Sequence, residues 1–279
     1  MFNKLIIDIG MHKCEDTDFY LHLGYKVVAI DANANLVNLA KTKYERMVHA
    51  GVLTVLNYAM ADEDFGSIDF NISDETLWSS IKLEVSTRLG HHSEKVAVVT
   101  RTLASIIKEF GIPYYCKIDA AGFEDSCLRT LSDALLPEFI SVESECIGEG
   151  QVLTDEQALN TLNRLYQIGY RKFKLVDQST LSVLRLDKRF YFGNSTYWES
   201  LIRRWNRFFV IVHQRRYLGK FRYNFKPSAS GPFGEYLDGE WVDLEAAKKI
   251  LMRHRADYFR VEASPKRSFS FWCDWHAKR

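Results

Sequence analysis

The sequence predicts an α/β fold in which helices cover both faces of a mostly parallel β-sheet. Short apolar runs alternate with stretches of helical apolar spacing along much of the 279-residue chain. Continuous apolar runs are typical of strands that are buried on both faces, as in parallel sheets. The first 31 residues alone contain a strand, a turn, a short helix and a second strand.

The elements of the first half follow from these apolar runs and from the residues that flank them. Leu5–Ile9 and Val27–Ile30 are predicted strands on either side of a short helix. Asn35 is predicted to cap a helix that ends near Ala50. The pattern then predicts a third strand at 52–62, a hairpin turn at 64–67, a strand at 68–72, and a loop with room for one helix at 74–95.

In the second half, Thr102 is predicted to cap a helix that ends at Phe110, and Asp243 a helix that ends near Tyr258. The closing run FSFWCDWH alternates like a strand, which we expect to return to the sheet as an antiparallel edge. The remaining predictions are strands at 96–100, 114–120 and 139–144, helices from Gly122 and at 155–168, and a turn-rich loop at 228–239.

Composition is that of an ordinary soluble globular protein, with 47% hydrophobic and 26% charged residues. The net charge of +1 gives no indication of a nucleic-acid partner. No apolar run is long enough to cross a membrane, and the first residues are interpreted as a strand rather than a signal peptide. The five cysteines are odd in number and lack CxxC spacing, which predicts a reduced, cytoplasmic protein.

The opening unit is typical of a nucleoside site. Asp8 and Gly10 mark the first turn, and Asp31 ends the second strand, where a carboxylate can accept hydrogen bonds from ribose hydroxyls. NAD needs three glycines, and His12 and Cys14 argue against a pyrophosphate. S-adenosylmethionine has no pyrophosphate, and Asp16 and Thr17 at the start of the helix could meet its ammonium and carboxylate groups. The alternative is a fold without a ligand, in which Asp8 and Asp31 cap loops.

A second polar group follows the strand in YYCKIDAAGF. Lys117 and Asp119 lie at its carboxyl end, where ligands of such sheets gather. Asp119 could hold an ammonium group or orient an acceptor hydroxyl. The alternative is that Asp119 caps the next helix and Lys117 is solvated. Glu143 and Glu145 end the next strand, and one of them is expected to reach the same cleft.

Two histidine-containing motifs carry weaker predictions. Neighbouring His91 and His92 would point to opposite faces of a strand, and no third ligand has suitable spacing, so we predict no metal site. Asp274 and His276 could form a catalytic pair, although residues two apart on a strand share one face for purely structural reasons.

A basic, aromatic segment begins near residue 200 and contains no acid between Glu199 and Glu235. Three functions fit it: nucleic-acid binding, contact with an anionic membrane, and the wall of an acceptor pocket. The alternative is a helix with its apolar residues inward and its arginines in solvent. We favour an acceptor that is a polar, phosphate-bearing or lipid-linked glycan, and we expect no nucleic acid.

The ordered motifs DIGMHKCEDTDFYLHLGYKVVAIDANANLV, LWSSI, RTLASII, YCKIDAAGFEDSCLRTL and ISVE resemble the FkbM family of S-adenosylmethionine-dependent methyltransferases. The resemblance covers about residues 5–176, and SGPFGEYLDGEW and FWCDWHA are similar to C-terminal pieces of some members. It implies a class I methyltransferase fold with a seven-stranded Rossmann-like sheet, and O-methylation of a hydroxyl on a sugar, glycolipid or polyketide-type product.

Carried over to this chain, the resemblance implies a set of site residues. The catalytic candidates are Asp119, Glu143 and Lys117. The cofactor site would contain Asp8, Gly10, His12, Asp16, Thr17, Asp31, Ala32 and Asn33, with Ala61 and Asp62 near the adenine and Asp119 near the methyl donor.

Three positions depart from the family pattern. Cys14 replaces a glycine and Ala34 a proline, and both changes are expected to be tolerated. Ala121 replaces a glutamate, so any role of that carboxylate must pass to Glu124, Glu143, His91 or His92, or alignment alone must suffice. If neither holds, the protein binds its cofactor or a glycan with little or no turnover.

We therefore predict a cofactor-binding core at 1–185, a basic acceptor-side elaboration at 186–265 and a terminal strand at 266–279. The predicted activity is O-methylation of a saccharide or glycolipid. An NAD-dependent oxidoreductase is the rival enzyme. No feature indicates an oligomeric state, and peripheral membrane contact is compatible with the basic segment.

Overall fold

A computed structural model describes residues 4–73, 93–120, 122–147, 153–187, 205, 212–262 and 271–279. The chain forms two compact units, Met1–Val142 and Glu143–Arg279. Residues 74–92 of the loop predicted at 74–95, with His91 and His92, lie outside the described residues, as does Ala121. Residues 93–95 of that predicted loop belong to a strand, Ser93–Arg101. The predicted functional boundaries at 185 and 265 stay predictions.

The first unit alternates strands and helices. Its elements are β1 Leu5–Ile9, α1 Glu15–His22, β2 Lys26–Asp31, α2 Ala34–Lys43, α3 Glu45–His49, β3 Leu53–Asn57, β4 Ala59–Met60, β5 Ser67–Ser73, β6 Ser93–Arg101, α4 Leu103–Phe110, β7 Tyr115–Ile118, α5 Glu124–Arg129, a 3-10 helix Asp133–Leu135, and the start of β8, Phe139–Ile147.

The second unit continues from β8. It contains α6 Asp155–Ala158, α7 Asn160–Gln167, β9 Lys172–Asp177, β10 Ser182–Val183, a helix α8 at 212–219, a 3-10 helix Gly234–Tyr236, α9 Leu244–Glu262 and β11 Phe271–Lys278.

Hydrogen bonds link eight strands in the order β10-β9-β11-β8-β7-β1-β2-β3. The pairs β1–β2, β1–β7, β2–β3 and β7–β8 are parallel, which confirms the predicted class. The predicted number of seven is wrong by one strand, because the two-residue β10 adds an antiparallel edge beside β9. A run of two residues carries no periodicity from which a strand could be predicted.

The closing strand is antiparallel, as predicted, but it is not an edge. β11 pairs with β9 from Cys273↔Asp177 to Lys278↔Lys172 and lies between β9 and β8 in the sheet. Its side chains are buried almost throughout, and Trp275 is completely enclosed. An interior place explains why even the polar side chains Asp274 and His276 of this strand are buried.

The predicted third strand and hairpin are also corrected. Residues 52–62 divide into β3, which joins the large sheet, and β4, which joins a three-stranded sheet of order β4-β6-β5. β5 pairs antiparallel with β6, Ser67↔Val99 to Ser73↔Ser93, so the turn at 64–67 does not make a hairpin with the strand before it.

Helix ends follow their capping residues. Thr102 accepts a hydrogen bond from the Ser105 amide, as predicted. Asp243 accepts one from the Ala246 amide, and the helix it begins extends past Tyr258 to Glu262. The cap of α2 is Asn33 rather than Asn35, and the helix predicted to reach Ala50 breaks at Tyr44 into α2 and α3. The helix predicted at 155–168 likewise divides into α6 and α7.

In the part of the chain that the structure describes, we find no helix with the length and apolarity needed to span a membrane.

Candidate functional site

The carboxyl ends of β1, β2 and β7 are neighbours, because β1 pairs with both other strands. Four of the predicted site residues follow from this order: Asp8 and Gly10 at the end of β1, Asp31 at the end of β2, and Asp119 just after β7. The sequence prediction that these residues share one edge of the sheet is consistent with the observed strand order.

Asp8 is a completely buried carboxylate. Its Oδ2 accepts a hydrogen bond from Thr17 Oγ1 at 2.5 Å, whereas Oδ1 has no hydrogen-bond partner among the described residues. Burial raises the pKa of Asp8 to about 6, while the charge of Lys117 acts in the opposite direction. A buried acceptor without a donor costs free energy of folding, so it is a feature that a ligand can relieve.

Gly10 is required by a close contact within the protein. Its φ is +75°, and a Cβ at this position would lie 1.8 Å from the carbonyl oxygen of Asp119. The amides of Gly10 and Met11 donate to the Ile30 carbonyl at 2.9 and 3.2 Å. The sequence predicts that a ligand approaches the backbone closely at Gly10. The structure shows that glycine is needed here in the first place because the chain just after β7 approaches Gly10 closely.

The turn after β1 has two non-glycine residues in the left-handed region. His12 has a φ of 48° and Cys14, the residue before α1, has a φ of 65°. This conformation favours glycine, which explains why the family pattern has one at position 14. The Cys14 side chain is buried, and burial raises the pKa of its thiol to about 12, so it is an unreactive, neutral group.

Asp31 is held by both of its oxygens. Oδ2 accepts the His12 amide at 2.9 Å and Oδ1 the Asn33 amide at 2.8 Å. Burial raises the pKa of Asp31 to about 6, although these two donors lower it. Each oxygen retains a lone pair, so the carboxylate is oriented and can still accept two hydroxyl donors.

The loop after β2 has a support that sequence analysis missed. Asn57 Nδ2 donates to the carbonyls of Asp31 and Ala32 at 2.9 and 3.0 Å. The side-chain oxygen of Asn33 is already engaged within the protein, because it accepts the Asn35 amide and caps α2. Ala34 is then the first residue of that helix, a position that suits proline, so its departure from the family pattern costs little.

Lys117 is the centre of a charged cluster and is not solvated. Its Nζ lies 3.1 Å from Asp16 Oδ2 and 3.4 Å from Asp119 Oδ2, and both Lys117 and Asp16 are buried. Although burial acts to lower it, the pKa of Lys117 is raised well above its ordinary value by Asp16, Asp119 and Asp8. Three carboxylates around one ammonium leave an excess of negative charge, which favours a cationic ligand.

Asp119 does not cap the next helix, because Phe123 is the residue before α5. Among the described residues no side chain caps this helix; Glu124 instead holds the loop before it, since its Oε1 accepts the amides of Ala120 and Gly122 at 3.1 and 3.0 Å. Burial raises the pKa of Glu124, and the charge of Asp119 adds to the effect. The Asp119 side chain is 45% exposed, so it lies at the open side of the cluster.

The two residues expected near an adenine, Ala61 and Asp62, both have polar groups that contact other parts of the protein. The Ala61 amide donates to the Arg101 carbonyl at 3.0 Å, so it is already used in the protein. Asp62 is exposed and lies 3.3 Å from an Arg129 nitrogen, so its carboxylate is held near α5.

The remaining candidates belong to the second unit. Glu143 is half-buried within β8, which continues to Ile147, so the prediction that Glu143 and Glu145 end this strand is wrong. The side chain of Glu145 lies outside the described residues. Asp274 and His276 share one face of β11. Burial lowers the pKa of His276 to about 3, so at neutral pH this residue is an uncharged imidazole in the interior.

No group of His, Cys, Asp and Glu side chains within the described ranges has the arrangement of a metal site. The four cysteines whose side chains are described, Cys14, Cys116, Cys127 and Cys273, are free thiols.

A model of the Methyltransferase FkbM domain matches residues 8–172, which is more than half of the chain. No curated protein matches this chain significantly by sequence.

Several solved structures show distant similarity to this chain. A SAM-dependent methyltransferase from Thiobacillus denitrificans, in complex with S-adenosyl-L-homocysteine, is 12% identical, with 99% of this chain and 86% of that chain covered and a TM-score of 0.38. The corresponding protein from Geobacter sulfurreducens, with the same ligand, is 12% identical, with 99% and 85% covered and a TM-score of 0.38. Phosphoethanolamine N-methyltransferase 2 from Haemonchus contortus, in complex with S-adenosyl-L-methionine, is 11% identical, with 99% and 49% covered and a TM-score of 0.35.

Proposed function

Because the chain belongs to the FkbM methyltransferase family, we propose that it transfers the methyl group of S-adenosyl-L-methionine to a hydroxyl oxygen of a saccharide or glycolipid. The observation that carries the proposal is the group of carboxylates at the ends of β1, β2 and β7. They are buried or held in place in spite of the free energy that this costs, as expected of groups that serve a ligand.

The residues present fit S-adenosyl-L-methionine. Asp31 would accept hydrogen bonds from the two ribose hydroxyls, since both of its oxygens are oriented and keep a lone pair. The excess negative charge around Lys117 suits the cationic methionine end. Asp8 Oδ1, buried and without a hydrogen-bond partner among the described residues, would gain one from the ammonium directly or through a water.

His12, Ala32, Ala61 and Asp62 are proposed as further contacts, with the exposed carboxylate of Asp62 nearest the adenine amino group. NAD is disfavoured because the second glycine position of G-x-G-x-x-G, which lets a pyrophosphate approach the backbone, holds His12.

When bound, the methyl donor supplies a methyl group on a positively charged sulfur, which an oxygen nucleophile can attack in line. The acceptor oxygen gains the methyl group and loses its proton. Asp119, exposed at the open side of the cluster, is proposed to accept a hydrogen bond from that hydroxyl and orient it. Lys117 holds Asp119 in place and stays protonated, so we assign it no proton transfer. Glu143 stays the sequence-predicted candidate for taking the proton.

The test is calorimetric titration with S-adenosyl-L-homocysteine, with NAD in parallel. We expect micromolar binding of S-adenosyl-L-homocysteine and none of NAD, and weaker binding by Asp31→Asn than by the control Asp69→Asn, whose carboxylate is exposed. If S-adenosyl-L-homocysteine does not bind, the proposal is wrong. Mass spectrometry of saccharide acceptors after incubation with the methyl donor then tests the acceptor class, and Asp119→Asn should lower turnover by a larger factor than it weakens cofactor binding.

A second candidate is a family member that binds the cofactor with little turnover, which Ala121 favours. Glu124 carries a carboxylate three residues away, but the Ala120 and Gly122 amides occupy it. Ala121→Glu distinguishes the two: a large gain in turnover indicates that wild type lacks a needed carboxylate. No gain, with activity already present, indicates that this position is dispensable.

A further inference from the structure

The helix α8 (212–219) and the turn after it carry a face of positive charge, which we call the cationic face. It consists of Arg215, Arg216, Lys220 and Arg222, all exposed. Among the described residues none of these four side chains forms an ion pair with a carboxylate. The segment between Glu199 and Glu235 contains eight Lys and Arg and no acid, although the whole chain has a net charge of only +1.

The opposite side of α8 is packed into the second unit. Tyr217 and Phe221 lie edge to face at 5.8 Å between ring centroids, and Phe221 meets Tyr236 in the same way, also at 5.8 Å. Tyr217 Oη donates to the Tyr236 carbonyl at 2.6 Å and accepts the Asp238 amide at 3.2 Å. The apolar stripe of α8 is therefore used in packing, and the face left for a partner is the charged one.

The packing of α8 bears on whether the cationic face suits a single-stranded nucleic acid or an anionic bilayer. Single-stranded nucleic acid binds by stacking its bases on aromatic side chains as well as by phosphate contacts. The rings of Tyr217, Phe221 and Phe225 pack edge to face on one another, so packing within the protein already engages them. Two apolar side chains of the same basic segment are exposed: Trp205 at 61% and Val212, the first residue of α8, at 46%. Tryptophan in a basic segment is typical of contact with the interface of a bilayer.

We propose that the cationic face is a docking surface for an anionic lipid bilayer. The attraction is electrostatic, since phosphate headgroups meet guanidinium and ammonium groups that have no internal counter-charge. Val212, at the start of α8, adds contact at headgroup level. The apolar stripe does not insert, because it is part of the packing of the second unit. This inference does not depend on methyl transfer or on the cofactor.

The test is co-sedimentation of the full chain with vesicles of phosphatidylcholine alone and of phosphatidylcholine with phosphatidylglycerol. We expect binding only to the anionic vesicles, weakening as ionic strength rises. Arg215→Glu/Arg216→Glu should weaken this binding by about tenfold or more, since each basic residue near the surface contributes about 1 kcal/mol. The matched control, Lys41→Glu/Arg46→Glu, makes the same charge change on α2 and α3 and should bind like wild type.

Lys220→Gln/Arg222→Gln is a second variant in case the first does not fold, and it should weaken binding in the same direction. Equal binding to neutral vesicles, or an equal loss in the α2–α3 control, would overturn the proposal. Tighter binding of an RNA or DNA oligonucleotide than of anionic vesicles at the same salt concentration would also overturn it, in favour of a nucleic-acid surface.

Discussion

Replacing Asp8 with asparagine should stabilise the protein without ligand at neutral pH while weakening its binding of S-adenosyl-L-homocysteine. Burial raises the pKa of Asp8 from 3.8 to about 6. The folded state therefore binds the proton more tightly than the unfolded state. The stability from this group is fully present below the unfolded pKa and is lost as pH rises through the folded pKa.

The size of the effect follows from the same shift. A change of about two pKa units at about 1.4 kcal/mol per unit amounts to roughly 3 kcal/mol of unfolding free energy lost by wild type above pH 6. Asparagine keeps an acceptor for Thr17 and carries no charge. The difference in stability between Asp8→Asn and wild type should therefore increase between pH 4 and pH 6 and then level off.

Urea unfolding followed by far-UV circular dichroism at several pH values measures this difference, and amide hydrogen exchange in β1 gives it for the first unit alone. Asp69→Asn is the control, because its carboxylate is exposed on β5 and should change stability little. A variant that is less stable than wild type at pH 7.5, or a difference that does not depend on pH, would refute the reasoning. The first result would mean that the attraction between Asp8 and Lys117 exceeds the cost of burying the charge, and the second that the two are equal.

Other substitutions test the remaining parts of the site. Gly10→Ala should destabilise the first unit by about 2 kcal/mol or more and abolish cofactor binding, because its Cβ would overlap the Asp119 carbonyl; thermal melts and titration measure both. Lys117→Met should cost about 3–5 kcal/mol, since it leaves buried Asp16 without its counter-ion; a smaller loss at pH 5 than at pH 7.5 would support this cause, and no loss would contradict it. Cys14→Gly should stay within about 1 kcal/mol of wild type, because relief of the left-handed backbone offsets lost packing, whereas Cys14→Val should lose clearly more in urea unfolding.

The acids of the site could be placed from the sequence because their positions follow from local rules and topology together. Asp8, Asp31 and Asp119 each stand at or just after the end of an apolar run, and parallel strands bring their carboxyl ends to one edge. Capping was predicted less well. Thr102 was assigned correctly, but Asn33 and Asn35 both suit a cap, and only the backbone geometry selects Asn33.

Features that depend on contacts far apart in the chain could not be predicted. β11 was placed at an edge because nothing in its alternation reveals a neighbour about a hundred residues earlier. The burial of Lys117 was missed because lysine is a surface residue by default, and its partner Asp16 lies on a helix distant in sequence. The support of the Asp31 loop by Asn57 has no sequence pattern at all.

The balance of charges in the first unit itself argues for a ligand. Asp8 and Asp31 have raised pKa values because the folded chain buries them, and Asp8 Oδ1 has no donor among the described residues. A fold selected for stability alone would hold neutral or apolar side chains there, because mutations of that kind are readily available. Lys117, Thr17 and backbone amides compensate these carboxylates in part, and a group with positive charge and hydroxyl donors would add the rest. A cationic nucleoside offers both, so the instability of the site without ligand and its proposed affinity for S-adenosyl-L-methionine have the same physical origin.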